Sequence, residues 1–261
     1  QNPVKIATAM DIPQERIPLV FISAVLIKCI AELMGVKRIW TPGVTLCDGI
    51  AYEYAEKIRM FRGEHYFEED IIACAFNISR RYMVSRKRSE TLDNITTTIF
   101  DSLRRVHGLG KRERICLRLA AILHDCGKYI SLVNTGETSY QIIMATEIIG
   151  LSQQEREIVA NVVRFNHSRF VYDVQRIGSL EREAFLVVAK LTAILRLASC
   201  LDRSHKQKLK GLRATLKDGQ LILTVDTQAD IVLEKGFVEA NADFFEEVFS
   251  VEPVLKQRKI F

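Results

Sequence analysis

From Leu117 to Ser131 the chain reads LRLAAILHDCGKYIS, an apolar run that stops at adjacent His124 and Asp125. The run predicts a buried helix around which the rest must pack. A buried helix that ends on an imidazole beside a carboxylate implies one of two things: the pair shares a cation, or it satisfies backbone groups at the helix end. Gly127 supplies a residue tolerant of positive φ just past the last turn, and Lys128 places a cation near the negative end of the helix dipole. The helix is therefore expected to stop here.

With 261 residues, the chain is long enough for two domains, or for one large domain with an appendage. Lys and Arg number 37 against 32 Asp and Glu, a net charge of +5, which argues for a local basic patch and against a nucleic-acid coating. Cysteines stand at 29, 47, 74, 116, 126 and 200, none in CxxC spacing. They predict reduced, buried thiols in a cytoplasmic protein. The candidate membrane segment, Leu19 to Ile27, is broken by Ser23 and ended by Lys28, far short of the ~20 apolar residues of a spanning helix. No membrane partner is expected. The opening QNPVKIATAM lacks the basic and apolar regions of a signal peptide, and Gln1 in place of Met suggests a fragment or a trimmed product.

Taken in order, Pro18 opens an apolar segment, LVFISAVLIKCIAELMG, which ends at Gly35 and predicts a buried helix. KRIW is a short strand candidate, and a Gly49-containing turn then leads into the helix IAYEYAEKIRMF. Phe67 to His205 reads as helical, with helices expected at about 67–84, 89–107, 111–126, 137–150, 152–164 and 180–203. Ser152 followed by Glu155 is a capping box placed directly after Gly150. Beyond, LRATLKDGQLILTV places Asp218-Gly219 between two alternating segments, the signature of a β-hairpin. Asn241 to Ser250 reads as a short amphipathic helix, and EPVLKQRKI as a returning strand.

The stretches LRLAAILHDCGKYIS and LRLASCLDRSH, the second at Leu195 to His205, resemble the helical HD-type domain of the exopolyphosphatase and guanosine pentaphosphate phosphohydrolase (Ppx/GppA) family. ERIPLVFISAVLIKCIAELMGVKRIWTPGVTLCDGIAYEYAEK is similar to the closing segment of that family's actin-like domain. The two resemblances imply a mostly α fold in three parts: the end of an actin-like α/β domain at 1–58, an HD-like helical domain at 59–206, and a small α+β domain at 207–261. Active HD phosphohydrolases hold a divalent cation with a His, the His-Asp pair and a later Asp. By that resemblance the first His falls near Thr91 and the last Asp at Ser199, so two outer ligands are replaced, while Asp202 lies three residues on. His124, Asp125 and Asp202 are then a weak or vestigial metal site. His167 also stands where the family tends to carry His.

Positive charge clusters in RRYMVSRKRSE, with Arg86, Lys87 and Arg88, and in DRSHKQKLKG, with Arg203, Lys206 and Lys208. Arginine forks match phosphate oxygens, and the resemblance implies inorganic polyphosphate or guanosine pentaphosphate as the ligand. Tyr82 is the one ring in the first run, too little for stacking single-stranded nucleic acid. No Gly-rich phosphate cradle occurs among the 13 glycines. The family's Mg²⁺-assisted catalytic residues are expected upstream of residue 1. The leading expectation is thus a segment, inert by itself, that binds a polyanion and helps build a homodimer. The alternatives are an autonomous metal-dependent HD phosphohydrolase acting on nucleotides, with His124, Asp125 and Asp202 as ligands, and a non-enzymatic binding module.

Overall fold

The structure is a computed structural model that describes residues 5, 7–8, 12–39, 41, 43–58, 60, 67–172, 180, 182–206, 208–209 and 211–258. The chain divides into two compact units, residues 1–64 and 65–261.

In the first unit, α1 (Ile17–Leu33) carries Pro18 in its first turn, where the missing N–H costs nothing, and Gly35 follows it at φ 63°. α2 (Leu46–Lys57) starts with a capping box: Asp48 N–H donates to Thr45 Oγ1, and Thr45 N–H to Asp48 Oδ2 at 2.7 Å. Two expectations fail here. Residues 37–39 of the KRIW segment form no strand, and Trp40 lies outside the described residues. Nor is α1 buried: Leu19, Phe21, Leu26 and Ile30 are 53–62% exposed. A helix apolar on every side has no face to select, and the described residues of this unit form neither a sheet nor a bundle to cover it. Cys29 and Cys47, expected to be buried, are exposed on these two helices.

The second unit is mostly helical: α3 (Phe67–Arg81), α4 (Arg86–Ser102), the single turn α5 (Arg104–His107), α6 (Lys111–Leu123), α7 (Thr135–Ala145), α8 (Gln153–His167) and α9 (Arg182–Leu201). α6 is buried at Ile115 to Leu117 and again from Leu119 to Leu123, which bears out the helix expected at the centre of the chain. Among the described residues, α9 alone is long and apolar enough to cross a membrane, yet 72% of its apolar window is buried in this unit, as befits a core helix. Ser152 and Glu155 form the expected capping box, and Glu155 also accepts from Arg112 Nε at 2.6 Å.

The C-terminal residues join the same core. β1 (Arg213–Lys217) pairs antiparallel with β2 (Gln220–Asp226) across Asp218-Gly219, both at positive φ as a tight hairpin requires. β3 (Glu252–Arg258) returns parallel to β2. The crossover that a parallel pair needs is made by α10 (Val232–Ala240) and α11 (Ala242–Phe249). α11 follows the sequence pattern. α10 does not, because Gly236 sits in its middle and masks the helical signal. Leu221, Leu223 and Val225 turn one face of β2 toward the helices, with Phe245 buried among them.

Candidate functional site: a His–Asp centre closed by an arginine

The α-helical part of the central segment ends at Leu123, with His124 as C-cap, and continues as a 3₁₀ turn over Cys126–Tyr129. Gly127 is not in the left-handed region. It is required for a different reason: a Cβ there would come within 2.3 Å of Thr135 O and 2.5 Å of Ser139 N. This close approach draws α7 against the His-Asp pair, and Gly127 N–H donates to Ser139 Oγ at 2.8 Å.

His124 is fully buried. Its Nδ1 lies 2.8 Å from Ala121 O, and a carbonyl only accepts, so the proton sits on Nδ1 and Nε2 presents a lone pair. Arg88 Nε, from the first turn of α4, donates to that lone pair at 2.9 Å. Arg88 Nη1 lies 2.7 Å from His205 Nε2, just beyond α9. A guanidinium only donates, so the second imidazole also faces it with a lone pair. Asp125 Oδ2 stands 3.6 Å from Arg88 Nε and accepts from Lys128 Nζ at 2.8 Å. His167, at the end of α8, places Nε2 at 2.7 Å from His124 O and 3.6 Å from Asp125 Oδ1. Asp202, buried one residue past α9, adds a second negative charge near the guanidinium.

Burial lowers the pKa of Arg88, and Asp125 and Asp202 partly offset it. Burial also works to raise the Asp125 carboxyl, but the Arg88 guanidinium and the Lys128 ammonium beside it hold it below the usual carboxylate range. Arg88 thus receives two imidazole lone pairs and faces two carboxylates, as a divalent cation would. The donor set does not fit a metal as it stands, because the nitrogen of His124 that would ligate is already occupied by Arg88. Among the described residues, no group of three His, Cys, Asp or Glu side chains is spaced to hold one. Chemically, the centre is a neutralised clamp joining α4, α6, α8 and α9.

Residues 72–243 match the family model described as Ppx/GppA phosphatase, domain III. The chain belongs to the Ppx/GppA phosphatase family. A relative from Photobacterium profundum, described as guanosine-5'-triphosphate,3'-diphosphate pyrophosphatase, is 20% identical over 196 residues, covering 74% of this chain and 37% of the relative. The chain therefore spans little more than a third of the length of that curated relative.

In this Ppx/GppA domain the two residues that the resemblance aligns with the outer ligands, Thr91 and Ser199, make other contacts. Thr91 Oγ1 donates to Lys87 O at 2.8 Å, and Ser199 Oγ to Asn166 Oδ1 at 3.2 Å. The residue that reaches the centre from α4 is Arg88, one turn before Thr91. In the sequence it falls among its basic neighbours, because its burial is invisible without the helix start at Arg86.

The six basic residues singled out in the sequence do not stay together. Near 100° of rotation per residue sends consecutive side chains of α4 to different sides. Arg86 pairs with Glu90 at 2.7 Å and lies over the Phe76 ring. Lys87 lines a cavity of about 480 Å³ with Thr91, Asn94 and Thr98. Arg88 turns inward. Lys208 is taken up by Asp230 O at 2.7 Å and Glu234 Oε2 at 3.3 Å. Lys206 is exposed, and Arg203 lies over the Phe237 ring beside a second cavity. Two further arginines of that cavity, Arg169 and Arg196, escape a reading of the sequence, since neither belongs to a charge run.

Proposed function

We propose that this chain is the C-terminal part of a cytoplasmic Ppx/GppA phosphohydrolase that binds inorganic polyphosphate or guanosine pentaphosphate and supports dimerisation, while the Mg²⁺-assisted chemistry belongs to residues outside it. The observation that carries this reading is Arg88 in the place of a catalytic cation. A guanidinium bonded to the ligating imidazole nitrogen supplies no open coordination position at which water could be activated. Of the six basic residues singled out in the sequence, Lys87, Arg203 and Lys206 are left to meet a polyanion, and Arg86 can join them by releasing Glu90. The exposed apolar length of α1 supports a second copy of the chain as its cover, because contiguous apolar patches beyond a few hundred Å² are rare on monomers.

The autonomous-enzyme reading keeps one observation in its favour: Asp125 Oδ1 is buried without a hydrogen-bond partner, as a ligand awaiting a cation would be. One experiment separates the two. Long-chain polyphosphate is titrated into the purified chain across a range of salt, with Mg²⁺ or Mn²⁺ present and phosphate release followed. The expected outcome is binding that weakens steeply with salt, a flatter salt slope in Lys87→Ala/Lys206→Ala, and no release. Metal-dependent release that disappears in His124→Ala would establish the autonomous enzyme instead.

A further inference from the structure

Beside the His–Asp centre, the ends of α8 and α9 and one side of α10 enclose a cavity of about 450 Å³. Three arginines line it: Arg169 just past α8, Arg196 on α9, and Arg203 just past α9. Asn166, Ser168 and Ser199 add hydrogen-bonding groups, and the described residues of the lining include no Asp or Glu. Among the described residues none of the three arginines makes an ion pair with a carboxylate.

Two of the guanidiniums are held in place before any ligand arrives. Arg196 lies 4.6 Å from the centre of the Phe244 ring, and its Nε and Nη2 donate to Phe165 O at 2.9 and 2.7 Å. Its Nη2 also donates to Ser168 O, so among the described residues Nη1 is the end of the fork that makes no hydrogen bond. Arg203 lies 4.7 Å from the centre of the Phe237 ring. Burial pushes the Cys200 thiol in the lining up to about 11, so it stays neutral and gives the arginines no counter-charge. His167, whose pKa burial holds below its ordinary value, adds none of its own. A lining with three cations, two of them held in place, and no acidic side chain among its described residues is complementary to a ligand carrying at least two negative charges on a compact tetrahedral group.

We infer that this cavity is a discrete binding site for a terminal phosphoryl group, that of a short phosphate chain or of a nucleotide. The inference deepens the reading above and shares Arg203 with it. It rests on that reading only for the choice of phosphate among oxyanions.

The test uses isothermal titration of the whole chain with tripolyphosphate and, in parallel, GTP, at one fixed ionic strength. Arg169→Ala/Arg203→Ala removes the two exposed arginines and leaves the internally bonded Arg196 in place. Arg105→Ala/Lys217→Ala removes the same charge from elsewhere on the unit. Binding of one ligand per chain is expected, weakened about tenfold or more in the cavity variant, as for loss of charged hydrogen bonds, with the control unaffected. Tighter binding of GTP assigns the phosphoryl group to a nucleotide, and equal or tighter binding of tripolyphosphate assigns it to a free chain. No binding of either, or equal loss in both variants, overturns the site. Arg169→Lys/Arg203→Lys, which keeps charge but loses the fork, should also bind more weakly, with an unchanged melting temperature as the folding control. Long-chain polyphosphate binding that depends on Lys87 and Lys206 but not on the cavity would sink this inference and spare the broader reading. Tripolyphosphate binding that depends on the cavity, with no role for Lys87 and Lys206, would do the reverse.

Discussion

Arg88 and Arg196 are both partly buried, and burial lowers the pKa of each, yet their surroundings are opposite. Arg88 faces Asp125 and Asp202 and receives lone pairs from two imidazoles. Among the described residues Arg196 meets carbonyl oxygens, an aromatic face and two weak acids, Tyr172 and Cys200, pushed up to about 12 and about 11 and therefore uncharged at neutral pH. A buried cation that meets its anions inside the protein is a fastener. One held in geometry but left without an anion is prepared for a ligand. The two sit on neighbouring parts of one bundle, linked through His167, which touches the first cluster and lines the cavity of the second.

The sharpest way to break this contrast is to remove the fastener. Arg88→Met keeps length and apolar volume but leaves Asp125 and Asp202 without their central counter-charge, and breaking a buried pair in this way costs about 3 to 5 kcal/mol. An unfolding free energy from urea titration lowered by that amount is the expected outcome, together with weaker packing of α4 on α6. A variant as stable as the parent would mean that Lys128 and water suffice to hold the carboxylates.

Much of this architecture is legible in the sequence. The capping box at Ser152, the Asp218-Gly219 hairpin and the helix ending at His124 are local signals, in which a few neighbouring residues determine the backbone. The failures come where the answer depends on distant contacts. The expected burial of α1 rests on hydropathy alone, and none of the described residues of its own unit supplies the partner that such hydropathy demands. By the family resemblance the first His ligand would fall near Thr91 and is lost, whereas the residue that reaches His124 stands one turn earlier and is of the opposite chemical type, a donor in place of a ligand. Charge runs suggest a continuous track, but three consecutive residues on a helix cannot share a face, so Arg86, Lys87 and Arg88 have three different roles.

A smaller effect tests the protonation pattern on which the contrast depends. His167 and His107 both have pKa values lowered, chiefly by burial. His107 accepts from Leu109 N–H at Nδ1, with Nε2 2.9 Å from Phe100 O, an arrangement for a neutral ring. Below about pH 6.5 the unfolded chain takes up protons that these folded histidines resist. Stability is therefore full above that pH and falls as pH drops through the window beneath it. Asp125 behaves separately: its contribution is complete above about pH 4 and is lost only as pH falls further. Urea midpoints at pH 7.5 and 5.5 should show the first decline alone, and His107→Asn should diminish it. Equal or higher stability at pH 5.5 would show that the imidazoles accept protons inside the fold.

The smallest expected effect is the most discriminating within a single helix turn. Arg86 lies two residues before Arg88, but its pair with Glu90 is solvent-exposed, with side chains 79% and 47% accessible. An exposed i,i+4 pair contributes about 0.5 kcal/mol or less, and the Phe76 face beneath Arg86 adds a similarly small term. Arg86→Ala should therefore leave the unfolding midpoint almost where it was. Because the same guanidinium can leave Glu90 for a phosphate, the substitution should still weaken long-chain polyphosphate binding and flatten its salt dependence by less than one unit of slope. A variant with unchanged binding would make Arg86 a solvated surface residue. One that unfolds as readily as Arg88→Met would erase the difference between a cation satisfied inside the protein and one held at its surface.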